Sequence, residues 1–117
     1  MGHKVVWFDI PAADFERARQ FYAEVLDLEV REEFQNVGVF ASNEGEVSGC
    51  IYLSKEETPR ANGPLLYLNV NGRLDDAIEK AYTFGGRVIK GKHPIGPFGH
   101  RAIIQDSEGN RIALHSE

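Results

Sequence analysis

A single cysteine, Cys50, stands in the 117-residue chain. Neither an internal disulfide nor a CxxC metal or redox motif can therefore form. No run of about 18 consecutive apolar residues occurs, which excludes an apolar transmembrane helix. Positive charge is also short: 13 Lys and Arg face 18 Asp and Glu, for a net charge of −5. General nucleic-acid binding needs a clustered basic face, and Lys90 with Lys92 is a local pair without interleaved aromatics. The N-terminal apolar run Val5–Phe8 is too short for a signal peptide and has no cleavage site. These absences lead us to expect a cytoplasmic protein that binds neither nucleic acid nor membrane. The 42% hydrophobic and 26% charged composition fits a globular chain able to bury a core.

What the chain does contain is one pattern, written twice. Val5–Ile10 is rich in β-branched and aromatic residues, as a buried strand requires, and Pro11 is expected to end it. Asp14 is the expected N-cap of a helix reaching Leu26, with Phe15, Ala18, Phe21, Tyr22, Val25 and Leu26 as its apolar stripe. Arg17, Arg19, Gln20 and Glu24 fall off that stripe and are expected in solvent. Three strand candidates follow at Leu28–Phe34, Val37–Ala41 and Ser48–Ser54, separated by turn residues at Gln35-Asn36 and at 43–46. The second copy begins about 60 residues later, a spacing that denotes two units and not a solenoid. Its strand is Leu65–Val70. Leu74, Ala77, Ile78, Ala81 and Phe84 form its helix stripe, which Gly85-Gly86 should stop. Strands are expected from Arg87, at Arg101–Gln105 and at Arg111–His115, with His93–Gly99 a Pro/Gly loop in place of part of a strand.

The expected architecture is α+β: two βαβββ modules forming a paired, curled mixed or antiparallel sheet around a shared cleft. We read residues 1–117 as one domain, with module 1 at about 1–57, a polar linker at about 55–63 and module 2 at about 64–117.

Three motifs, in order, carry a family resemblance. The first is Trp7-Phe8-Asp9-Ile10-Pro11 followed by Asp14-Phe15-Glu16-Arg17-Ala18 and Phe21-Tyr22. The second is Ala81 to Val88 with Gly85-Gly86. The third is the closing Asp106-Ser107-Glu108-Gly109-Asn110-Arg111-Ile112. Over essentially its whole length the chain resembles the vicinal oxygen chelate superfamily, the group of glyoxalase I, bleomycin-resistance proteins and extradiol dioxygenases. Ser107 stands where that family commonly has proline. The fold hosts isomerases, dioxygenases, epoxide-opening transferases and non-catalytic drug binders, so it implies no single reaction.

The resemblance also implies where a divalent metal would be held in enzymatic members: on one strand position each near Trp7, Tyr52, Leu66 and Ala113. None of these is the oxygen or imidazole donor that such an ion needs. No metal and no other cofactor is therefore expected. Strand alternation instead suggests an aromatic lining for a small apolar or aromatic ligand. Its candidate residues are Trp7, Asp9, Cys50, Tyr52, Tyr67, Asn69, His100 and His115. Against this, the three aromatics could simply fill core space. Asp9 could act as a general base if buried, or could pair with Arg101 or Arg111. His115 could reach the cleft mouth, or be a frayed strand end. Cys50 has no neighbouring group in sequence to activate it. His3 and His93 match no local chelate spacing.

The favoured expectation is metal-independent binding of a small molecule. The alternatives are a glyoxalase-type lyase, isomerase or dioxygenase with a displaced metal site, and an accessory interaction module without a pocket. The resemblance also implies a homodimer.

Overall fold

The computed structural model describes residues 3–56 and 63–117. The core of the expected linker, 57–62, lies outside the described residues. The first module comprises strand β1 (Trp7–Ala12), helix α1 (Phe15–Leu26) and strands β2 (Val30–Phe34), β3 (Val37–Phe40) and β4 (Ser48–Leu53). The second comprises β5 (Leu66–Asn69), α2 (Leu74–Thr83), β6 (Arg87–Pro94), a 3-10 turn at Gly96–Phe98, β7 (His100–Gln105) and β8 (Arg111–Ser116). The duplication is thus structural as well as sequential. The sheets run β1-β4-β3-β2 and β5-β8-β7-β6. In each, the first strand joins the last in parallel and the other pairings are antiparallel. Two mixed four-stranded sheets with a helix apiece make an α+β fold, and neither sheet closes into a barrel.

The helices follow from their stripes. Asp14 is extended, with φ −128°, and its Oδ1 accepts the Arg17 N–H at 3.1 Å, capping α1 as expected; such a cap contributes about 1 kcal/mol. Phe15, Ala18, Phe21, Tyr22 and Val25 are all buried. On α2 the buried residues are Leu74, Ala77 and Ala81, with Ile78 and Phe84 packed at the margin. Each helix covers one face of its own sheet, and the two helices pack on each other. Gly85 takes φ 102° after α2, where a side chain would be strained. A Cβ on Gly86 would lie 2.6 Å from the Gln105 carbonyl oxygen and 2.9 Å from that of Ala81, so only glycine fits the approach of α2 to the sheet.

Three expectations about strands need correction. Pro11 does not end β1 but lies inside it. Because β1 is an edge strand paired only with β4, a missing N–H can face away from the ladder at no cost. Val5 and Val6 precede the strand and are 53% and 80% exposed. The loop expected from His93 is shorter, because β6 continues to Pro94. Register shifts between Val88 and Lys90 and between Lys90 and His93 bend this strand without losing β7.

The motifs of the resemblance meet as a clasp between modules. The closing turn of module 2 lies against α1 of module 1. Glu108, whose side chain is 1% exposed, accepts Arg17 Nε at 2.7 Å and Nη2 at 2.9 Å, with the Asp14 N–H at 2.8 Å and Ser107 Oγ at 2.9 Å. Arg17 keeps its expected exposure, with half of its side chain in solvent, yet this pair ties its guanidinium down. Arg19 likewise donates to the Val30 carbonyl at 2.9 Å. Beside this pair, the fully buried Tyr22 hydroxyl donates to Asp106 Oδ2 at 2.5 Å. Asp106 also accepts the backbone N–H groups of Glu108 and Asn110 and the Asn110 side-chain amide. That amide reaches across to the Pro11 carbonyl at 2.9 Å.

The two acids of the clasp shift in opposite directions. Burial raises the Asp106 pKa, and the hydrogen bonds from Tyr22, Asn110 and Glu108 only partly offset it. Burial also pushes Glu108 upward, but the bonds from Arg17, the Asp14 N–H and Ser107 outweigh that and hold it below its ordinary value. Desolvation, with the Asp106 charge behind it, lifts the Tyr22 phenol well above its ordinary range, so it remains a donor.

Candidate functional site

Alternation divides each sheet into a helix-packed face and an open face. In the second sheet Leu68, Ala102, Ile104, Ile112 and Leu114 are buried on the helix side. Tyr67, Arg101, Ile103, Ala113 and His115 point the other way, where no helix lies. The pairings Tyr67 with Ala113, Asn69 with His115, and Arg101 with both His115 and His93 place these side chains side by side. Leu66 pairs with Ile112 on the helix side, so the strand position that shares a face with Ala113 is Tyr67, not Leu66.

At one end of this open face lies a hollow of about 520 Å³ lined by Tyr67, Ile95, Phe98, Arg101 and His115. Three interactions set its walls. Arg101 Nε donates to His93 Nε2 at 2.9 Å, and its Nη1 donates to the Tyr67 hydroxyl. The guanidinium also sits 5.9 Å from the Tyr67 ring centroid, within cation–π range. His93 Nδ1 is 2.8 Å from the Gly91 carbonyl, so this nitrogen carries the proton and Nε2 is the acceptor. Opposite, His115 Nε2 donates to the Phe98 carbonyl at 2.6 Å, and its ring meets Tyr67 edge-on at 6.4 Å. That bond ties the Gly96–Phe98 turn to β8 and leaves the Phe98 ring 72% exposed beside the hollow. His115 is thus an ordered member of the wall and not a frayed end.

The first sheet's open face carries a different cluster. Asp9 is exposed, and its Oδ1 accepts from Trp7 Nε1 at 2.9 Å and from the Cys50 thiol at 3.2 Å. The expected pairing with Arg101 or Arg111 does not occur, because both belong to the other sheet. Arg111 instead donates to the Gly63 carbonyl at 2.8 Å. Burial, then the bond to Asp9, pushes the Cys50 thiol up to about 11, so it is protonated at neutral pH.

The candidate residues are therefore split three ways. Trp7, Asp9, Cys50 and Tyr52 belong to the first sheet, where Asp9 faces Cys50 in register. Tyr67, Asn69 and His115 share the open face of the second. His100 alternates away from Arg101 and lines a hollow with Arg73, Asp75 and Lys92 near the start of α2. A larger cleft of about 1140 Å³ does lie between the modules, but its first-sheet wall is Phe8 and Phe40 and not Trp7 and Tyr52. Tyr67 and Asn69 line that cleft as well, so Tyr67 stands between the two spaces.

The open-face positions do not fit a divalent metal. Tyr67 and Ala113 supply neither imidazole nor carboxylate. Asp9 and Cys50 are two neighbouring donors, one of them a protonated thiol. Among the described residues no three His, Cys, Asp or Glu side chains are grouped so as to hold a metal ion.

Arg101, Phe98, Ile95 and His93 were missed as site residues from sequence. Arg101 was within reach: counting back from the closing turn, where Gln105 pairs with Arg111, places Arg101 opposite His115. Nothing local in the Pro/Gly segment indicates where Phe98 would point.

The comparisons agree with this architecture. Residues 4–114 match the Glyoxalase/Bleomycin resistance protein/Dioxygenase superfamily, and the chain belongs to that superfamily. A search of curated proteins found no match. Among solved structures, the chain is similar to a glyoxalase/bleomycin resistance protein from Albidiferax ferrireducens T118, with a TM-score of 0.82 at 15% identity, over 98% of this chain and 99% of that one. It is similar to a glyoxalase-related enzyme from Fulvimarina pelagi, with a TM-score of 0.76 at 16% identity, over 98% and 88% of the two chains. It is also similar to the fosfomycin resistance protein FosX from Mesorhizobium loti, with a TM-score of 0.71 at 16% identity, over 100% and 94%. At such identities these likenesses speak for the fold.

Proposed function

We propose that this protein binds a small apolar or aromatic molecule without the help of a metal ion. The observation that supports this most directly is the hollow of about 520 Å³ walled by Tyr67, Phe98, Ile95, Arg101 and His115. Its size and its mixture of apolar surface with few polar groups match small-molecule sites in general. Tyr67 and Phe98 offer ring faces for stacking, and Arg101 and His115 fix the walls. The donor-poor residues at the family's metal positions support metal independence.

The protein acts as a homodimer in this reading. Trp7 at 45% and Tyr67 at 46% exposure leave aromatic surface on both open sheet faces, which a second copy would cover. The lone cysteine fits a reducing, cytoplasmic setting. Among the described residues, no helix is long and apolar enough to cross a membrane.

Two measurements test this. Metal analysis after dialysis should find less than one equivalent of any transition metal, and stoichiometric zinc, nickel, iron or manganese would favour a glyoxalase-type lyase. Light scattering should give twice the chain mass of 13.1 kDa, and a monomer at micromolar concentration would remove the dimer from the proposal.

A further inference from the structure

We infer that the ligand of the Tyr67 hollow carries an anionic group, a carboxylate, sulfonate or phosphonate attached to a ring or apolar body, and that Arg101 reads it. This rests on the hollow being the binding site, as proposed above. The argument starts from charge. Arg101 is half-buried in the wall, yet among the described residues it makes no ion pair. Its two hydrogen-bond partners, His93 Nε2 and the Tyr67 hydroxyl, are both neutral acceptors.

A guanidinium has five N–H donors in a planar fork, and these two bonds use one on Nε and one on Nη1. The bonds orient the fork but leave its charge uncompensated in a partly desolvated place. Arg17, by contrast, is matched to Glu108 and Arg73 to Asp76; Arg111 also has a neutral partner, the Gly63 carbonyl, but does not line the hollow. An arginine held by neutral partners on an aromatic wall is well suited to pair with an anionic group of a ligand. The wall supplies the second half of the recognition. Phe98 and Tyr67 flank Arg101, so a ligand placing its acid group on the fork would lay its body against their rings.

The test uses two probes with one ring system, 2-naphthoate and 2-naphthamide, titrated into the protein by calorimetry. The wild type should prefer naphthoate by about ten- to a hundredfold, as a charge-assisted bond predicts, and the preference should shrink with added salt. Arg101→Met should bind both probes with the affinity the wild type has for the amide. Arg101→Lys keeps the charge but loses the fork, and should retain part of the preference; it also serves if the methionine variant fails to fold. Phe98→Ala should weaken both probes together. Equal wild-type binding of the two probes, or an undiminished preference in Arg101→Met, would overturn the assignment of Arg101 while leaving the binding site standing. Failure of both probes to bind at millimolar concentration would overturn the inference and the site together.

Discussion

Removing the Glu108 carboxylate should unfasten the two modules, and the size of the effect can be worked from its partners. In Glu108→Ala the Asp14 N–H and Ser107 Oγ lose their acceptor, and Arg17 loses both of its short contacts. A buried ion pair broken at one end typically costs about 3–5 kcal/mol. Here the figure must be discounted, because the Arg17 side chain is 50% exposed and water can take over part of its solvation. We expect a loss of about 2–3 kcal/mol for Glu108→Ala and about 1–2 kcal/mol for Glu108→Gln, which keeps the shape but not the charge. A chain of 117 residues unfolds with an entropy of about 250 cal/mol/K, so each kcal/mol moves Tm by about 4 °C. The alanine variant should thus melt about 8–12 °C below wild type in a circular dichroism scan.

The pH dependence sharpens the test. Glu108 is held below its ordinary value of 4.5 in the folded protein, so its contribution is present above that value and is lost as pH falls through the folded one. The gap between wild type and Glu108→Gln should therefore be full at pH 7 and close in acid. Asp106 works the other way: raised above its ordinary 3.8, it binds a proton more readily when folded, and its share of stability falls as pH rises through that window. Only the difference between variants isolates Glu108. A Glu108→Gln protein within about 0.5 kcal/mol of wild type at pH 7 would refute the clasp as a source of stability. So would a gap that persists unchanged to pH 3. A double-mutant cycle with Arg17→Met should show a coupling of at least about 0.5 kcal/mol if the pair acts directly.

Three further outcomes are expected. Tyr22→Phe should cost about 1–2 kcal/mol in urea unfolding, because Asp106 loses one buried donor but keeps Asn110 and the Glu108 N–H. Gly86→Ala should cost about 2 kcal/mol or more, since two of the three close neighbours of the added methyl are backbone carbonyls that cannot swing aside and the third is the buried Phe21 ring; a neutral result in the same assay would contradict the packing of α2. Alkylation of Cys50 by iodoacetamide should be slow at pH 7 and rise about tenfold per pH unit toward the thiol's value of about 11, whereas a plateau near pH 8 would contradict the Asp9 contact.

Much of the fold was legible in the residues because its causes are local. The apolar stripes of α1 and α2, the Asp14 cap, the left-handed Asn36 and Gly85 and the period-two strands all act over a few residues. The duplication then made each module a check on the other. Pro11 departs from the local expectation because its tolerance depends on β1 being an edge strand, a property of the sheet and not of the chain nearby.

The site was legible only in part. Alternation puts Tyr67 and Asn69 on one strand face, and Trp7 with Asp9 on another. Strand period, however, tells which residues of one strand share a face, not which strands of different modules meet. Trp7, Tyr52 and Tyr67 therefore look alike in sequence, although the structure holds the first two and the third in separate sheets.

By itself, then, the sequence determined the two βαβββ units and their helix faces, since residue type and spacing suffice for both. Tertiary structure decided that Arg17, Tyr22, Asp106 and Glu108 join the modules, and that Arg101 and Phe98 complete a hollow with Tyr67 and His115. Those partnerships span from 14 to more than 90 residues of chain, and no local preference encodes a contact at that range; only the packing of α1 on the closing turn and the register of β7 on β8 bring them together.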